Sequence, residues 1–178
     1  MLIRKTDPVG VDKLIDALQV FIDQLNLPNW NNYARAYKNP KRFDERGFIP
    51  EVYTSNGNYE EVFFNDKYSI TSFFVVGDSR NTAITGRSIV TVSLIVQCKL
   101  KDVFPQISHR ADEELINMFW NKLKAFTLGA KVESIETHID DVYKEFVREQ
   151  VKFDNLGNFN VVRFNMTGAF DSECCDEC

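Results

Sequence analysis

Apolar residues occupy alternate positions from Val90 to Leu100: Val90, Val92, Leu94, Val96, Cys98 and Leu100, with Thr91, Ser93, Gln97 and Lys99 between them and Ile95 the one exception. Strand side chains point alternately to opposite faces. The pattern therefore predicts one buried and one largely solvated face, as in antiparallel sheets covered on a single side. At ~3.3 Å per residue a strand starting at Ile89 spans about 40 Å, long enough for part of it to project as a hairpin arm. The segment 69–77 (SITSFFVVG) is its natural partner, and the polar stretch at about 77–88 reads as a long, mobile hairpin loop. Beyond Pro105 an amphipathic helix follows, with Leu115, Phe119, Leu123 and Phe126 in one stripe and Ser108 or His109 as its cap. Asp112, Glu113 and Glu114 suit its positive end, and Lys122 and Lys124 its negative end.

The rest of the chain reads in the same way. Val11, Leu14, Ile15, Leu18, Phe21, Ile22 and Leu25 recur at helical spacing behind Asp7-Pro8, predicting a helix over about 8–25 with Asp7 as its cap. Short strands are expected at about 48–53 and 60–64, joined by a turn at Asn56-Gly57. A short strand over Lys131–Glu136, a helix behind Thr137 carrying Ile139, Val142, Tyr143 and Phe146, and a turn at Asn155–Asn158 come next. A last strand over Phe159–Met166 has Val162, Phe164 and Met166 on one face. The expected fold is α+β: a two-layer sandwich of a mainly antiparallel sheet with helices on one face and a projecting β-hairpin. Residues 1–170 form a single domain, and a second subunit would cover the opposite face wherever that face is apolar.

Composition narrows the function classes. The chain has 178 residues, 44% hydrophobic, with fifteen phenylalanines, which favours a phenylalanine-rich core or apolar subunit contacts. A formal charge of −5 gives no overall field that attracts DNA or an anionic membrane. No apolar run approaches the ~20 residues that span a bilayer, and MLIRKTDPVG lacks the apolar core of a secretory signal. A cytoplasm-like compartment is expected. Cys98 falls on the apolar strand face and reads as a buried thiol, while Cys174, Cys175 and Cys178 crowd into 171–178, an acidic tail expected to be disordered. The CxxC at 175–178 supplies only part of a zinc site, so no metal is expected there.

No catalytic set is legible and the chain reads as a non-enzyme, with no cofactor. Its two histidines, His109 and His138, sit at helix starts, where capping and exposure explain them. Phosphate-cradling glycine loops, nucleophile elbows and HExxH patterns do not occur. The acids at 112–114 and 140–141 read as complements of helix dipoles. The segment 30–47 is different: Arg35, Lys38, Lys41, Arg42 and Arg46 are interleaved with Trp30, Tyr33, Tyr37 and Phe43. That composition suits an extended arm laid over a neighbouring subunit, with Tyr33 and Tyr37 among its anchors. It also suits a surface on which single-stranded nucleic acid stacks; the acidic whole favours the interface. Arg80 and Arg87 in the expected hairpin loop would face a channel, a partner or solvent.

The helix at 8–25 and the segments NGNYEEVFFNDKYSITSFFVVGD (56–78), VTVSLIVQCKLKDVFP (90–105), RADEELINMFWNKL (110–123) and FDNLGNFNVVRFNMTG (153–168) together resemble ring-forming virion proteins of tailed bacteriophages. The similarity is to the tail-completion and tail-terminator type of the neck and tail, closest to the structural proteins of crAss-like phages. The resemblance implies a homo-oligomeric ring at the head-to-tail junction, through which genomic DNA passes without sequence-specific binding. It implies portal, adaptor or tail proteins as neighbours, a place in the virion after assembly in the host cytoplasm, and no membrane. A position against the portal implies about twelve copies, and the end of the tail tube about six. The resemblance transfers no catalytic residue, and the cysteine-rich tail is not part of it.

Overall fold

The computed structural model describes residues 1–37, 43–44, 47–48, 51–55, 58–62, 64–82, 87–146 and 157–171. The fold is α+β, with a mixed, mostly antiparallel sheet and, among the described residues, four helices. In chain order these are β1 (Leu2–Ile3), α1 (Val11–Asp23), β2 (Trp30–Tyr37), β3 (Phe43–Asp44), β4 (Gly47–Phe48), β5 (Glu51–Ser55), β6 (Asn58–Glu61), β7 (Ile70–Thr82) and β8 (Arg87–Cys98). There follow α2 (Leu100–Val103), α3 (Asp112–Lys124), β9 (Ala130–Glu136), α4 (Ile139–Val142) and β10 (Asn160–Asp171). The main sheet runs β6-β5-β2-β7-β8-β10-β9, with β1 alongside β2, and β3-β4 form a separate pair. The expected turns at 56–57 and 155–156 and the tail residues 172–178 lie outside the described residues.

Even-numbered positions of the long strands build the main core. Phe74, Val76, Val92, Leu94, Val96, Cys98, Val162, Phe164 and Met166 pack under Leu14, Ile15, Leu18 and Ile22 of α1 and Leu115, Phe119 and Leu123 of α3. α1 can press onto β10 because Gly168 has no side chain: a Cβ there would lie 2.6 Å from Leu14 Cδ2. The helix begins at Val11 behind Gly10, at φ +57°, rather than at the expected Asp7-Pro8. Asp7 itself has φ +50°, so the chain is still turning there and the proline does not open the helix. α3 likewise starts behind Ala111, without the side-chain cap expected from Ser108 or His109. His109 instead bonds Glu114, at 2.8 Å.

Three further expectations are corrected. The first is the arm at 30–47. Its first part, β2, is an interior strand, parallel to β7 on one side (Trp30↔Ile70, Arg35↔Phe74) and bonded to β1 and β5 on the other. Polar letters hid it, because Asn31 and Asn32 are buried, not solvated. Asn32 Nδ2 donates to Gln19 O (3.3 Å) and Asp23 Oδ1 (3.2 Å), and its Oδ1 accepts from Ser72 Oγ (3.1 Å).

The second correction concerns the hairpin loop at 77–88. β7 continues to Thr82 and β8 begins at Arg87, leaving only 83–86, which are outside the described residues. The extra length is absorbed by a register shift between Val76 and Arg80, where Gly77 crosses close to Thr91. Nor is the hairpin free on both sides, since β10 pairs with β8 as far as Asp171↔Arg87.

The third correction is the opposite sheet face. Helices do not all lie on one side: α4 and the turn after it, with Val62 and Phe64, cover Phe73, Val75, Ile95 and Val161 in a second core. The face expected to await a partner is therefore closed, over this part, by the chain itself. Ser93 and Gln97, expected in solvent, are buried beneath this cover.

Candidate interface surfaces at the two ends of the sheet

Because β8 returns antiparallel to β7, Arg80 and Arg87 lie together at one end of the sheet, here called the outer end, whereas Arg35, opposite Phe74, and Tyr37 lie further in along β2. A register shift between Asn32 and Arg35 inserts one residue into β2 and turns Arg35 toward α1. There Arg35 lies 3.7 Å from Asp12 and stacks over Tyr37, with the guanidinium 5.0 Å from the ring centroid. Lys5 reaches the same ring (5.8 Å) and hydrogen-bonds to Asp12. Burial would lower the Lys5 pKa, but its bonds to Asp12 and Tyr37 outweigh that and hold it above the ordinary lysine value. Cation–π contacts of this kind bind the cations to the ring without neutralising them.

The other basic residues divide. Arg80 pairs with Val90 and so shares the α1 side, where it is exposed. Arg87 pairs with Asp171 on the opposite face, with an ion pair of 3.1 Å and a bond from Nη2 to Ala169 O at 3.4 Å. Tyr33 is not a surface anchor: it is buried on the second-core side and its hydroxyl donates to Glu60 (2.7 Å). Burial and the neighbouring carboxylate push its pKa far above the usual range. Lys38, Lys41, Arg42 and Arg46 lie outside the described residues.

No family model, curated protein or solved structure matches this chain significantly. Its function has to be argued from its own surfaces.

The far end of the strands is built differently. The chain leaving β8 through α2, the turn before α3 and the start of β10 enclose an open cleft of about 690 Å³. Lys99, Lys101, Asp102, His109 and Arg110 line it beside Phe159. Lys99 pairs with Asp66 (3.1 Å) over the Phe159 ring (5.1 Å), Arg110 with Asp112 (3.0 Å) and His109 with Glu114 (2.8 Å). The cleft is thus rich in charge, with Lys99, Arg110 and His109 each held by a neighbouring carboxylate. Among the described residues no group of three His, Cys, Asp or Glu side chains could hold a metal, and no helix is long and apolar enough to cross a membrane. Cys98 is buried, and burial pushes its thiol up to about 12, so it is no nucleophile at neutral pH.

Sequence reading missed a buried, heavily bonded arginine. Arg163, only 1% exposed, donates from Nε to Asn165 Oδ1 (2.6 Å), from Nη1 to Val142 O (3.1 Å) and from Nη2 to Ser93 Oγ (2.8 Å). Both terminal nitrogens also bond Glu145, clamping the turn after α4 onto the sheet. The signal was present as an arginine inside the apolar run Val161–Phe164.

Proposed function

We propose that this chain is a virion structural protein that assembles with copies of itself into a ring around the DNA passage in the neck or tail of a tailed bacteriophage. The sequence resemblance suggests the class. The observation that carries it further is that the same long strands end in two unlike surfaces: an exposed outer end with Arg80 and Arg87, and a charge-rich cleft at the far end. Neither surface repeats the other, and contacts between unlike surfaces, when their rotation closes, make rings. An acidic protein also suits a conduit, because DNA that must slide is not held by phosphate neutralisation. Portal, adaptor or tail proteins are its neighbours. About twelve copies fit a place against the portal and about six the end of a tail tube.

The test is light scattering with negative-stain imaging, alone and mixed with neighbouring virion proteins. Rings are expected from the natural chain. Arg80→Glu with Arg87→Glu should lose them and leave a folded monomer, because both side chains are exposed and the Arg87–Asp171 pair contributes little to stability. A natural chain that stays monomeric in both settings sinks the reading.

A second reading, a nucleic-acid-binding accessory protein using 30–47, is favoured by the two cations held against Tyr37. Against it, Trp30 and Tyr33 are buried and unavailable for stacking on bases. It requires steeply salt-dependent binding to single-stranded DNA that Lys41→Glu with Arg42→Glu abolishes. Salt-insensitive or undetectable binding removes it.

A further inference from the structure

The second core contains two polar rows of the same construction, and they differ in one respect. In the first, Ser93, Asn165 and Ser134 are register partners on β8, β10 and β9. They bond one another, Ser93 Oγ to Asn165 Oδ1 at 2.8 Å and Asn165 Nδ2 to Ser134 Oγ at 3.0 Å. In the second, Asn31, Thr71 and Gln97 are register partners on β2, β7 and β8. All three are at most 2% exposed. Gln97 Nε2 is satisfied by Val62 O (3.1 Å) and the Tyr143 hydroxyl (2.9 Å). Gln97 Oε1, Thr71 Oγ1 and Asn31 Oδ1 have no hydrogen-bond partner, and Asn31 Nδ2 has only a weak interaction with the Tyr33 hydroxyl.

Each unpaired buried polar group on these three adjacent strands carries a desolvation penalty, which a small bound partner would relieve. The set holds a donor at Asn31 Nδ2, acceptors at Asn31 Oδ1 and Gln97 Oε1, and a hydroxyl at Thr71 that does both. A water molecule, two donors and two acceptors in the smallest volume, satisfies that combination. We infer that the row Asn31–Thr71–Gln97 is a site for internal water that bridges β2, β7 and β8. The bound water ties β2, the strand that carries Arg35 and Tyr37, to the middle of the sheet. This inference is independent of the ring assembly.

The experiment is a crystal structure at about 1.5 Å resolution of the natural chain and of Thr71→Val and Thr71→Ser. The natural chain and Thr71→Ser should show a solvent peak within hydrogen-bond distance of the Asn31 amide and of Thr71 or Gln97. Thr71→Val should lose or displace that peak, with its urea midpoint below that of Thr71→Ser. The inference is overturned if no peak is found and the Asn31 amide bonds a protein group directly, the nearby Tyr33 hydroxyl being the nearest alternative. A Thr71→Val midpoint above that of the natural chain also overturns it.

Discussion

Glu145→Ala should destabilise the protein by about 3 kcal/mol, read as a lower urea midpoint at unchanged slope. The carboxylate is the bidentate partner of Arg163, whose side chain is 1% exposed. Removing it leaves a buried cation with three neutral acceptors, Asn165 Oδ1, Val142 O and Ser93 Oγ. Two features keep the loss at the lower end for a broken buried pair. Glu145 is itself 18% exposed, and Glu136 lies 3.6 Å from Arg163 Nε, supplying part of the missing charge. The desolvation argument also fixes a comparison. Arg163→Met combined with Glu145→Leu removes both charges and should cost less than Glu145→Ala alone. A Glu145→Ala variant within ~0.5 kcal/mol of the natural protein would show that the clamp is a surface pair and not a buried one.

Phe119→Ala should cost about 4 kcal/mol by the same measurement, from lost apolar transfer and the cavity left behind. Phe119 is fully buried where α3 meets the sheet. Its ring stands edge-on to Trp30 at 5.8 Å and tilted against Phe164 at 5.9 Å, so it joins α3 to β2 and β10 at once. Trp30 is fixed from its other side by Nε1 donating to Ser72 Oγ at 2.9 Å. The site therefore cannot collapse into the gap. Phe21, half-buried at 5.4 Å from Phe126, offers an internal comparison, because a side chain with access to solvent leaves less of a void. Equal losses at Phe119 and Phe21 would contradict this ordering of the core.

Most of the fold was legible, and for one reason. The apolar faces of α1, α3, β7, β8 and β10 repeat along the chain with the period of their own elements, so each could be read without knowing its neighbours. β2 was not legible, because WNNYARAY has no such period: its asparagines are buried by partners such as Gln19 and Ser72, which sequence does not place beside them. The site residues divided along the same line. Arg80 and Arg87 were found as exposed cations, which needs only local polarity, whereas Tyr33 was misjudged because its burial depends on β6 and the second core.

By itself the sequence determined which positions are buried toward the long helices, and hence the α+β class. Only the tertiary structure decided what became of the polar positions between them. Ser93 meets Asn165 across 72 residues of chain, and Gln97 meets Tyr143 across 46. Hydrophobic burial depends on a residue's own surface and its periodicity, so it is written locally. A buried hydrogen bond depends on a partner of the right type and direction, and only the folded chain supplies one.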